Sequence, residues 1–199
     1  MKITVSPSVI LISAVYFFSG GSQRAFIPLA AALIHEIGHI AFAYAFQINI
    51  KEINLNLFGA IIKLSPLTCT YKKEAMLAAA GPITNIVSGA IAFIFLSRVS
   101  EEMRDRLAIF IISSIFFAAI NLLPADDFDG GRILKCTLLS TMSPTTVAQI
   151  IEWSSLFCVF FLWSISVYFI LKTGSYLSLF IFSGSLFAKL CLVNTRKRD

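Results

Sequence analysis

Residues Ala31–Ala45 read AALIHEIGHIAFAYA, and this stretch decides what the rest of the chain can be. His35, Glu36 and His39 form an H-E-x-x-H motif inside a long apolar run. In a helix, positions four apart sit one turn apart on the same face, so both imidazoles point the same way. That spacing suits two nitrogen ligands on one Zn²⁺, with Glu36 beside them to handle a proton. These are the only two histidines in the chain. The bland alternative is a chance match in a helix with two hydrogen-bonded histidines, so the neighbouring motifs carry weight. The apolar setting already argues for function, because charged and ionisable groups at membrane depth are costly.

Composition sets the class. Hydrophobic residues make up 57% of the 199, charged residues 14%, and the mean hydropathy is +0.84. As a soluble chain this length would give one or two domains. So apolar a composition instead predicts an all-α polytopic membrane protein, one transmembrane domain over residues 1–199. Cys69, Cys136, Cys158 and Cys191 have no C-x-x-C spacing, so neither a disulfide scaffold nor a cysteine metal site is indicated. The net charge of +5 needs no nucleic acid, because basic residues beside spans set topology and meet anionic lipid.

Working outward from the motif, about six spans are expected, at Ile3–Phe18, Ala25–Phe46, Glu74–Leu96, Leu107–Leu123, Val147–Leu171 and Ser175–Val193. The first resembles a signal peptide in pattern but reads as a span. Between spans two and three, Ile53–Leu57 alternates strictly, Gly59-Ala60 offers a turn, and Ile61–Leu64 follows. A membrane-associated β-hairpin within Ile50–Leu64 is expected there. Span three holds Gly81-Pro82-Ile83-Thr84-Asn85; Pro82 cannot donate a hydrogen bond and Gly81 allows close approach. Arg98–Arg106 is a charged loop. Span four runs into Asn121-Leu122-Leu123-Pro124, then Asp129-Gly130-Gly131, and a short helix is expected over Arg132–Leu139. With six spans, eleven of the 16 basic residues fall on the side of the termini. The excess of positive charge puts both termini, the hairpin and the active-site opening in the cytosol.

Two histidines leave a catalytic zinc one protein ligand short. A carboxylate in a distorted segment near the membrane is the natural third. Asp129 fits, after a helix-stopping proline and before two glycines, and Asp126 and Asp127 are rivals by composition.

His35-Glu36-Ile37-Gly38-His39, Gly81-Pro82-Ile83-Thr84-Asn85, and Asn121-Leu122-Leu123-Pro124 with Asp129-Gly130-Gly131 together resemble the three motifs of the site-2 intramembrane zinc metalloproteases. Order and approximate spacing match over about Ala25–Leu139, and the six-span layout is similar to the bacterial subgroup typified by a sporulation protein. The resemblance implies that His35, His39 and Asp129 bind zinc and that Glu36 is the catalytic acid/base. It places Asn85 and Asn121 near the substrate groove. It also implies hydrolysis of peptide bonds in or beside a transmembrane segment of a membrane-tethered regulatory protein. The chain shows neither the PDZ insert nor the nucleotide-sensing domain of many relatives, so separate membrane proteins would regulate it. One departure is Asp126-Asp127, in a stretch that is usually apolar or proline-containing in this family. A non-catalytic metal-binding scaffold or a transporter is the alternative, since both place ionisable residues in broken helices. No paired half-sequences resembling an inverted repeat favour the transporter.

Overall fold

A computed structural model describes residues 2–5, 26–48, 50–56, 59–64, 70–173, 180–181 and 183–188. The chain divides into two units, Met1–Leu122 and Leu123–Asp199.

The first unit holds a small sheet and three helices. Strand β1 (Lys2–Val5) pairs in parallel with β2 (Ile50–Asn56), and β2 pairs antiparallel with β3 (Gly59–Leu64), giving the order β1-β2-β3. The register sets Ile3 opposite Ile53, and Ile53 opposite Ile62, with an irregularity between Ile50 and Glu52. A parallel pair needs a crossover, and the chain between β1 and β2 passes through helix α1 (Phe26–Ala45). β2 and β3 lie within Ile50–Leu64, and residues 57–58 between them are outside the described residues. The first expected span is corrected at its start. Lys2–Val5 is extended rather than helical, in keeping with the β-branched Ile3-Thr4-Val5, and residues 6–18 lie outside the described residues.

α1 buries Ala31, His35, Gly38, His39 and Ala43, while Leu29, Leu33, Ile37 and Ile40 are exposed. Small and polar residues inside with large apolar ones outside is the pattern of a helix packed in lipid, where close helix contact replaces hydrophobic burial. The helix stops without glycine. Gln47 takes a left-handed φ of 52°, the Ile48 N–H donates to the Ala43 carbonyl at 2.8 Å, and Ile48, Ala43 and Leu77 pack together.

Helix α2 (Tyr71–Phe95) begins at Thr70, whose hydroxyl accepts from the Lys73 N–H, and runs into a 3₁₀ turn, Leu96–Arg98. It continues through Pro82, whose missing N–H leaves the Ala78 carbonyl without its helical donor. Apart from Leu77 and Pro82, its buried residues are again small or polar: Ala78, Ala80, Gly81, Asn85, Gly89 and Ala92. Helix α3 (Glu101–Asn121) packs against both α1 and α2. Glu101 and Glu102 in its first turn suit the positive end of the helix dipole.

In the second unit, α4 (Asp129–Leu138) starts three residues before the short helix expected at Arg132, so Asp129 opens its first turn. A Cβ on Gly131 would meet the Ala125 carbonyl oxygen at 2.0 Å, so the loop before α4 can fold this close only against glycine. That loop is tied to helix α5 (Pro144–Thr173). Ser155 Oγ accepts from the Asp126 N–H at 2.9 Å, and Ser154 Oγ donates to the Pro124 carbonyl. Within the same unit, Ser166 and Ser183 share a buried hydrogen bond of 3.0 Å.

Three helical stretches among the described residues are long and apolar enough to cross a membrane, Phe26–Ala45, Tyr71–Arg98 and Pro144–Lys172. α1 alone, 20 residues at about 1.5 Å each, matches a hydrocarbon core of about 30 Å. The chain is an integral membrane protein. α3 is helical where span four was expected, but charged residues 101, 102 and 104–106 crowd its start. Of the sixth expected span, residues 180–181 and 183–188 are helical and the rest lies outside the described residues.

Candidate metal centre

The H-E-x-x-H spacing does what helix geometry requires of it. His35 and His39 are 5% and 3% exposed, and their Nε2 atoms converge to 3.2 Å. The rings meet edge to face, with centroids 4.8 Å apart. Two ligands at 2.0–2.1 Å on a tetrahedral ion stand roughly 3.3 Å apart, so the pair fits zinc without rearrangement.

Space for an ion at those nitrogens is kept by α2. A Cβ on Gly81 would lie 2.4 Å from His39 Nε2 and 2.7 Å from His35 Nε2. Any side chain there would press on the donor atoms themselves. Gly38 does the reciprocal service on α1, where a Cβ would come 2.3 Å from Thr84 Oγ1 and 2.9 Å from the Ala80 carbonyl oxygen. Thr84 turns its hydroxyl back onto that carbonyl at 2.7 Å, which keeps its polar group satisfied inside the interface.

The far side of each ring is also held by α2. His39 Nδ1 lies 2.8 Å from the Leu77 carbonyl oxygen, a pure acceptor, so Nδ1 carries the proton and Nε2 the lone pair. His35 Nδ1 lies 3.3 Å from the Asn85 amide. Asn85 is fully buried. Glu36 is half-buried on α1, next to His35 in sequence and turned about 100° round the helix. Asn121 sits at the end of α3, half-buried, with its amide donating to the Phe117 carbonyl at 3.0 Å.

In the second unit the three aspartates separate by environment. Asp126 is exposed and 3.7 Å from Lys135 Nζ, an ion pair across the loop that accounts for one of the two unusual charges. Asp127 is exposed, whereas Asp129 is 8% exposed.

Residues 25–103 match the model of peptidase family M50. Stage IV sporulation protein FB of Bacillus subtilis is 31% identical over 139 residues, 67% of this chain and 46% of that protein. Residues 25–103 thus carry a peptidase family M50 (site-2 protease) domain. A protein of Mycobacterium tuberculosis described as putative zinc metalloprotease Rip3 is 28% identical over 130 residues, 63% of this chain and 33% of that protein. The chain thus spans less than half the length of these curated relatives. Its fold is similar to that of the site-2 protease from Methanocaldococcus jannaschii, with a TM-score of 0.63 at 17% identity over 96% of this chain and 90% of that one. The M50 match takes in both the H-E-x-x-H helix and the Gly81–Asn85 segment that encloses it.

Proposed function

We propose that this M50 chain is a zinc-dependent endopeptidase that cuts a membrane-tethered protein in or next to its transmembrane segment. The observation that carries this reading is the histidine pair: two buried Nε2 atoms 3.2 Å apart, at a gap that Gly81 keeps open, with Glu36 beside His35 on the same helix. Relatives described as zinc metalloproteases support zinc as the ion.

In this reading His35, His39 and Asp129 hold the ion. When bound, zinc supplies Lewis acidity and acidifies a water to a pKa of about 7. The chain's own residues do the rest. Glu36 takes a proton on its carboxylate and delivers it to the amine that leaves. Asn121, at the end of α3, lies on the substrate side. A separate membrane protein is the regulator. The bland role as a scaffold would need the ligands but not Glu36.

Asp129 is favoured over its neighbours because it opens a helix and is buried, whereas Asp126 and Asp127 are exposed. Metal analysis of purified variants tests the choice. Wild type, Asp126→Ala and Asp127→Ala should each hold about one zinc per chain, the count for a mononuclear site. Asp129→Ala should lose most of it, and full retention there with loss at Asp126 or Asp127 would reassign the ligand.

Six spans, a sheet lying at the membrane surface, and cytosolic termini complete the proposal, on the strength of the basic-residue bias. In a cysteine-free background, Lys73→Cys should resist an impermeant thiol reagent on intact cells, and Arg104→Cys should react. The opposite pattern inverts the topology.

A further inference from the structure

Asn85 is buried to 0% exposure in the middle of α2, and its amide faces His35 Nδ1 at 3.3 Å. The nitrogen end is turned to the ring, and the oxygen, Oδ1, has no hydrogen-bond partner. The two ends of an amide are nearly the same shape, so either can occupy this position. Either orientation also leaves one end without a protein partner, so burial alone does not choose between them. The ring chooses.

His39 has its proton fixed on Nδ1 by the Leu77 carbonyl and so offers a lone pair at Nε2. For His35 to offer one as well, its proton must sit on Nδ1, and the group facing Nδ1 must then accept. An amide nitrogen cannot accept; an amide oxygen can. With the nitrogen facing the ring, His35 keeps its proton on Nε2, pointing across 3.2 Å to His39 Nε2. That arrangement satisfies both rings but gives a cation only one lone pair.

We propose that Asn85 is the positioning residue for His35, turning its carbonyl to the ring so that Nδ1–H donates to Oδ1 and Nε2 is free to bind metal. The inference rests on the metal-centre reading above. Asparagine can meet either form of the ring from one place, as donor or acceptor. Aspartate could only accept and would hold His35 in the metal-binding form. Leucine, of similar size, could do neither.

The test is zinc affinity by chelator competition on the purified full chain in detergent, for wild type, Asn85→Asp and Asn85→Leu. Asn85→Leu should bind zinc about 10- to 100-fold more weakly, the usual cost of losing a group that orients a ligand. Asn85→Asp should bind at least as tightly as wild type, a rescue that a purely space-filling role would not give. With two histidines in the chain, long-range ¹⁵N–¹H spectra of histidine-labelled protein read each tautomer separately. Zinc-loaded wild type and Asn85→Asp should both show the proton on Nδ1 of both rings. Equal zinc affinity in wild type and Asn85→Leu overturns the proposal, as does an Asn85→Asp variant as weak as Asn85→Leu. Should Asn85→Leu not fold, the wild-type spectrum still decides, because a zinc-loaded His35 without a proton on Nδ1 contradicts it. A wild-type protein that binds no zinc overturns the metal-centre reading itself, and this inference with it.

Discussion

Gly81→Ala should strip the protein of its metal. The added methyl carbon would sit 2.4 Å from His39 Nε2 and 2.7 Å from His35 Nε2, against an ordinary contact of about 3.5–4.0 Å between nonbonded heavy atoms. The backbone of α2 cannot easily retreat, because Gly38 on α1 is already packed against Thr84 and the Ala80 carbonyl one turn away. The rings must move instead, and they are the ligands. Zinc should fall from about one per chain to below roughly a tenth, because the ligands themselves are displaced and not only a group that orients one. Gly89→Ala is the control on the same helix. Its Cβ would meet only Ser114 Cβ, at 3.5 Å, and zinc should be retained. A Gly81→Ala protein with full zinc would mean that the histidine pair is not the site.

The pairing of His35 and His39 is legible in the sequence, and the reason is periodicity. His35 and His39 must share a helix face, and an apolar helix carrying them has few uses other than binding. Gly81 was readable as a point of close approach, but not that the approach is to the imidazoles. That depends on the register between α1 and α2, which no local pattern encodes. The contact between Asn85 and His35 is hidden for the same reason: 50 residues separate them.

Other features follow weaker local rules. α1 ends at a left-handed Gln47, a position where glycine or asparagine is the usual signal, so the stop at Ala45 is carried by the packing of Ile48 instead. β1 has no local signal as a paired strand, since Ile3-Thr4-Val5 pairs with Ile53–Leu55 only through a crossover about 45 residues long. α4 reaches back to Asp129 through two glycines that discourage a helix, because Gly131 is needed under the Ala125 carbonyl. At Gln47 and at Gly130-Gly131 a tertiary contact overrides a propensity of about 1 kcal/mol or less, whereas β1 follows its β-branched residues.

Glu36 carries the central claim, that the histidine pair serves hydrolysis rather than metal storage. It sits half-buried on α1 beside His35, and the proposed ligand set of two histidines and an aspartate does not include it. Glu36→Gln keeps size and hydrogen-bonding capacity but cannot take up a proton at neutral pH. A positioned acid/base contributes about 10²- to 10⁴-fold to such a reaction. The direct measurement is co-expression of wild type and Glu36→Gln with candidate membrane-tethered regulators, following the cleaved product and the zinc content of each purified protein. The account predicts equal zinc, cleavage by the wild type, and a loss of at least about 100-fold in the variant. Cleavage by zinc-loaded Glu36→Gln at the wild-type rate would contradict it.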